Sequence, residues 1–173
     1  GISVYEAMAA YGLKPEEIAE HQRRDIKTFL EVHIEQGPVL EAAEKQIGIV
    51  DVIVGIKRVS VRINGRADHV GTMPMHMRKD ALEQAAKVIS KIGDRARCFP
   101  NTVATVGYLQ VEPNIINIVP QTVTFTVDIR GVDKAAITSQ YQGLVADLEQ
   151  MQAASGLTYD VETLLDAEPV VMD

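Results

Sequence analysis

A single cysteine, Cys98, stands in the 173 residues, which excludes an internal disulfide and any Cys-rich zinc site. A reducing compartment suits such a chain. Net positive charge is also missing. The formal balance of −7 argues for solubility and against a nucleic-acid footprint, which is normally basic. No apolar run is long enough to span a membrane, and the N-terminus lacks the basic-then-apolar pattern of a signal peptide. Absent too are a His-Glu-x-x-His pair, a Gly-rich phosphate loop and a Gly-x-Ser-x-Gly elbow. His33-x-Glu35 matches half of a zinc deaminase site, but the Pro-Cys-x-x-Cys half cannot exist with one Cys. What remains is ordinary globular composition, 46% hydrophobic and 24% charged, with room for a real core. The expectation is a cytoplasmic protein of one or two small domains that binds neither nucleic acid nor membrane. The abrupt start, Gly1-Ile2-Ser3, suggests a piece cut from something longer.

The densest chemistry lies in Glu31-Val32-His33-Ile34-Glu35-Gln36-Gly37-Pro38. As a strand, Phe29 to Gln36 would put Glu31, His33 and Glu35 on one face and bury Val32 and Ile34 on the other. Gly37-Pro38 would end it and open a helix over Val39 to Gln46. The alternative is an edge strand whose polar face is merely solvated. Before it, Ser3 can cap a short helix closed by Gly12, and Pro15 starts a second. After it, Ile47 to Ile56 reads as a buried strand or a crossing segment.

From Lys57 the pattern becomes regular. Val59, Val61 and Ile63 alternate with polar residues, as do Val123, Phe125, Val127 and Ile129. Both are half-buried strands. Thr102 to Val111 and Tyr159 to Leu165 supply two more. Leu82, Ala85, Ala86, Ile89 and Ile92 recur at helical spacing, and so do Ile137, Tyr141, Leu144, Val145, Leu148 and Met151. The order strand, helix, strand, strand, helix, strand predicts an α+β, ferredoxin-like βαββαβ unit, with two helices on one face of a four-stranded antiparallel sheet. It divides the chain into 1–55, an incomplete flanking segment; 56–166, the ferredoxin-like domain; and 167–173, an exit linker.

Two loops carry candidate chemistry. Gly65-Arg66-Ala67-Asp68-His69-Val70-Gly71-Thr72-Met73-Pro74-Met75 joins the first regular strand to its helix, and His69 can donate a hydrogen bond or carry a proton. Asn114-Ile115-Ile116-Asn117-Ile118-Val119-Pro120 precedes the strand that holds Asp128-Ile129-Arg130. Each also has a plain structural explanation: Asn64-Gly65 is a common turn pair, Asn beside Pro forms turns, and Arg130 on a polar strand face is commonly a surface charge.

Together, Glu31-Val-His33-Ile-Glu-Gln36-Gly-Pro-Val-Leu-Glu41, the His69 loop with Arg78-Lys79-Asp80-Ala81, and Asn117-Ile-Val-Pro120 leading to Asp128-Ile-Arg130 resemble the ureidohydrolase branch of the di-metal aminoacylase/carboxypeptidase superfamily. That branch holds N-carbamoyl-L-amino-acid hydrolases, allantoate amidohydrolases and β-ureidopropionases. The three motifs come in family order and span essentially the whole chain.

The resemblance implies a catalytic α/β metallohydrolase domain with two divalent metals (zinc, with manganese the alternative) and an inserted lid domain that dimerises. This chain would be that lid plus a strip of catalytic domain. By the same resemblance, His33 is a ligand of one metal, Gln36 contacts substrate, and His69 stabilises the ureido carbonyl as it becomes tetrahedral. Asn117 and Arg130 bind substrate, Arg130 pairing a carboxylate with its guanidinium fork. The implied partners are a small ureido substrate and a second copy of the chain, with some lid groups reaching the partner's site. The family's His-x-Asp motif, its glutamates and its downstream metal-binding His have no match here, so the 173 residues alone are expected to be inactive. Met73 stands where Thr is common and Gln121 where Gly is common. The alternatives are an aminoacylase or peptidase of the same superfamily, or a non-catalytic dimerisation or ligand-binding module.

Overall fold

The computed structural model describes residues 1–172, which divide into two compact units, Gly1–Gly48 and a second that begins at Ile49.

The first unit holds α1 (Val4–Ala10), a 3-10 helix (Pro15–His21) and a single turn, α2 (Val39–Ala42). Ser3 and Glu6 form a reciprocal capping box on α1: the Glu6 amide donates to the Ser3 hydroxyl at 3.2 Å and the Ser3 amide to the Glu6 carboxylate at 2.7 Å. The strand expected over 29–36 does not form. Those residues carry no regular structure, and Phe29, Leu30, Val32 and Ile34 are exposed. A strand is stabilised by its ladder and by a buried face. Among the described residues of this unit there is no second strand to supply either. The helix expected to run to Gln46 stops at Ala42, and Glu44 follows in the left-handed region at φ 54°.

The second unit begins with β1 (Val52–Ile53) and continues through β2 (Gly55–Asn64), α3 (Ala81–Arg97), β3 (Thr102–Glu112), β4 (Thr122–Gly131), α4 (Lys134–Ser155), β5 (Thr158–Ala167) and β6 (Val170–Val171). The four long strands form one sheet in the order β3-β4-β2-β5, with every neighbouring pair antiparallel. This is the ferredoxin-like topology expected from the strand and helix order. The segment after β5 turns back so that β6 pairs antiparallel with β1, Val52 opposite Val171.

The period-two pattern explains the sheet. Val59, Val61 and Ile63 of β2 and Val123, Phe125, Val127 and Ile129 of β4 point to one face and are buried. Above them pack Ala81, Ala85, Val88 and Ile92 of α3 and Ile137, Leu144, Leu148 and Met151 of α4. Each methylene removed from water there contributes about 0.8 kcal/mol. Asp80 caps α3 by accepting from the Leu82 and Glu83 amides, both at 3.0 Å, and Asp133 caps α4 through the Ala135 amide at 2.9 Å. Gly156, at φ 67°, ends α4 in a conformation that favours glycine. Lys91 and Arg95 of α3 both reach Asp147 of α4 and tie the two helices together. Among the described residues no helix is long and apolar enough to cross a membrane.

Candidate functional site

The turn that leaves β2 is shaped by a close approach. A Cβ on Gly65 would lie 2.0 Å from the Lys79 carbonyl oxygen, so only glycine fits. From there the 65–80 loop runs beside the 117–121 segment, held by main-chain bonds. The Gly65 amide donates to Gln121 O at 2.7 Å, Val119 to Asp68 O at 2.8 Å, Val70 to Asn117 O at 3.2 Å and Ala81 to Pro120 O at 3.1 Å. His69 and Ile118 form an isolated antiparallel bridge. These bonds bring His69 beside Asn117, two residues that the sequence places in separate loops. Both are exposed. Gln121 keeps an ordinary backbone outside the left-handed region, so Gln in place of Gly leaves the turn after Asn117 unstrained.

His69 has a defined partner: the Gly71 amide donates to its Nδ1 at 3.0 Å. A neighbour to which the sequence assigned no role now has one. Arg78 reaches back over the loop, donating from Nε to Met73 O at 3.0 Å and from Nη2 to Val70 O. It clamps the carbonyls on either side of Gly71-Thr72. The signal for it was present in Arg78-Lys79-Asp80, of which Asp80 is the cap of α3 and Lys79 donates to Ser155 O at the end of α4.

Arg130 lies elsewhere. The loop end of the sheet is at Thr122, and Arg130 is eight residues along β4, roughly 25 Å away at about 3.3 Å per residue. It sits on the face opposite the helices, half-buried, and donates to Asp128 from Nε at 2.7 Å and Nη2 at 3.2 Å. Arg58, opposite Asp128 in the ladder, donates to the same carboxylate from Nε at 2.9 Å and Nη2 at 2.6 Å. Hydrogen bonding from Arg130 first, and from Arg58, holds the Asp128 carboxyl below its ordinary range against the opposing cost of desolvation.

In the first unit His33 and Gln36 are exposed. His33 Nδ1 lies 2.6 Å from Ile34 O, so Nδ1 donates; in the neutral form of the ring the lone pair is then on Nε2, the arrangement a metal ligand needs. Gln36 adopts φ 57°. Glu35 acts locally, as its carboxylate accepts from the Val39 amide at 3.0 Å and the Leu40 amide at 3.1 Å at the start of α2. Among the described residues no group of three or more His, Cys, Asp or Glu side chains gathers to hold a metal. One imidazole does not fit a two-metal centre, which needs further ligands on each ion.

The second unit is thus an α+β domain of ferredoxin-like topology that carries His69 and Asn117 at one end of its sheet and a charged Arg58–Asp128–Arg130 cluster at the other. Residues 53–154 match the model of the peptidase dimerisation domain, M20_dimer, and the chain belongs to that family. It is 38% identical over 173 residues to an N-carbamoyl-L-amino-acid amidohydrolase of Paenarthrobacter aurescens, covering 98% of this chain and 42% of that protein. It is 36% identical over 174 residues to the allantoate amidohydrolase of Escherichia coli K12, covering 100% of this chain and again 42% of the relative. A crystal structure of an amidase of the hydantoinase/carbamoylase family from Burkholderia multivorans superimposes with a TM-score of 0.78 at 37% identity, over 82% of this chain and 34% of that one. The chain therefore spans about 42% of the length of the curated relatives it matches.

Proposed function

We propose that the chain is the lid and dimerisation part, with a flanking strip, of a cytoplasmic amidohydrolase that cleaves the ureido C–N bond of an N-carbamoyl-L-amino acid or allantoate. The observation that carries this reading is the separation of its polar groups. His69 and Asn117 are held together by the Val70–Asn117 main-chain bond, while Arg130 is a strand length away. No small ureido acid spans roughly 25 Å, so one substrate meets all three only when two copies contribute. A homodimer accounts for this: one copy supplies His69 and Asn117, and the other supplies Arg130.

In this reading His69 donates from Nε2 to the ureido carbonyl oxygen as negative charge develops on it. The Asn117 amide contacts the same group, and the free edge of the Arg130 guanidinium holds the substrate carboxylate. Gln36 adds a substrate contact. His33 belongs to one of two divalent metal sites, zinc by preference and manganese otherwise, whose remaining ligands lie outside these residues. The 173 residues alone do not turn over substrate.

Subunit complementation tests the proposal. In the full-length protein His69→Ala and Arg130→Ala variants are each expected to be nearly inactive on N-carbamoyl amino acids and allantoate. Mixed and reassociated, they regain turnover, because half of the mixed dimers' sites are intact. Failure to recover activity in a mixture shown to exchange subunits sinks the two-copy site. Turnover by the isolated 173 residues overturns the fragment reading.

A further inference from the structure

We infer that the main-chain amide of Gly71 fixes the tautomer and aim of His69, which makes Gly71 the positioning residue for the imidazole. The inference rests on the proposed reading of His69 as a donor to the substrate carbonyl.

A main-chain N–H only donates. The Gly71 amide stands 3.0 Å from His69 Nδ1, so Nδ1 must supply a lone pair, and a neutral imidazole then carries its hydrogen on Nε2. Among the described residues nothing accepts from Nε2, and the ring is exposed. The loop therefore presents one outward N–H. In the other tautomer Nε2 would present a lone pair, which repels a carbonyl oxygen. The tautomer decides whether this histidine attracts or opposes the developing oxyanion.

Gly71 is suited to this by its missing side chain as well as by its amide. A Cβ there would stand 3.2 Å from His69 Cε1 and 3.5 Å from Nδ1, so the ring lies over the turn in space that any other residue would crowd. The amide itself is held on both sides. The Val70 amide is bonded to Asn117 O, the Met73 amide to His69 O at 3.1 Å, and the carbonyls of Val70 and Met73 are taken by Arg78. The donor is in place before substrate arrives, and this preorganisation makes an oxyanion contact effective.

The test uses the unaltered 173-residue chain, labelled with 15N at histidine and glycine, at a pH where the ring is neutral. The expected spectrum has His69 Nε2 protonated and Nδ1 unprotonated, with a scalar coupling between Nδ1 and the Gly71 amide nitrogen across the hydrogen bond. An Nδ1-protonated ring, or no coupling, overturns the inference. In the Gly71→Ala variant the coupling is expected to vanish while the resonances of β2 and β4 stay in place. The same change in the full-length protein is expected to lower kcat by about 10²-fold, as a misplacement near the reacting atoms does, with KM little changed. Loss of the coupling with full kcat retained also overturns it. The proposed function fails on a different result, full kcat in His69→Ala, and the spectrum is read independently of that outcome.

Discussion

Asp128 accepts both the Nε and Nη2 hydrogens of Arg130, and Arg58 bonds to the same carboxylate from the neighbouring strand. One negative charge lies between two guanidinium groups, so the cluster keeps a net positive charge. Arg130 is bound along its Nε–Nη2 edge and, among the described residues, nothing accepts from its Nη1. Asp128 thus orients the fork, and Arg58 prevents Asp128 from cancelling its charge.

For an anionic substrate of the full-length protein, Arg130→Ala is expected mainly to raise KM, with a loss of roughly 2–5 kcal/mol for a hydrogen-bonded charge pair truncated on one side. Arg58→Met should raise KM less and leave kcat unchanged, and the difference should shrink at high salt because it is a through-space effect. An unchanged KM in Arg130→Ala removes its assigned role. A salt-independent effect in Arg58→Met would mean that packing, not charge, is responsible.

Asp128 also makes a pH prediction. Its folded-state pKa is lowered, chiefly by Arg130, so its stabilising contribution is present above the unfolded value of about 3.9 and is lost as pH falls through the folded value. Urea midpoints of this chain and of Asp128→Asn should differ at neutral pH and converge as the pH falls through the lowered folded-state value. A gap that stays constant down to acid contradicts the linkage.

Arg78 should control the His69 loop without being needed for the fold. Arg78→Lys keeps the charge but loses the planar fork that spans the Val70 and Met73 carbonyls. Amide exchange at residues 70–73 should quicken by about 10- to 100-fold, the equivalent of losing a charged hydrogen bond of about 1.5–3 kcal/mol, while β2 and β4 stay protected. Equal exchange in the two proteins counts against the clamp.

Gln140 is a fault in an otherwise apolar core. It is 2% exposed, and neither its Oε1 nor its Nε2 has a partner among the described residues. The neighbouring cavity, lined by Ile92, Arg95, Ala104, Val127, Ile129 and Leu144, is about 10 Å³, close to the space one water needs. Replacing the amide by the similarly shaped thioether, Gln140→Met, should raise the urea midpoint by the equivalent of about 1–3 kcal/mol, the cost of an unpaired buried polar group. A lower midpoint would show that the amide is satisfied through a bound water.

The regular half of the chain was legible because burial imposes a period. Val59, Val61 and Ile63, Val123 to Ile129, and the stripe from Ile137 marked which side of those elements meets the core, while the stripe from Leu82 took in Ala86, which is exposed, and passed over Val88, which is buried. The stretch 29–36 misled for the same reason: alternating Val32 and Ile34 imitate a half-buried strand, but alternation stabilises nothing without a neighbouring strand. Arg78 was legible only as part of a motif, because its partners are the carbonyl oxygens of Val70 and Met73, and every residue has a carbonyl.

By itself the sequence determined the order of strands and helices, the face each one buries, and the motifs around His33, His69, Asn117 and Arg130, since these depend on residue type and local spacing. Tertiary structure alone decided that His69 stands beside Asn117 and a strand away from Arg130. That arrangement depends on main-chain bonds between loops nearly fifty residues apart and on the length of β4. Main-chain groups are alike at every residue, so such bonds leave no mark in the sequence.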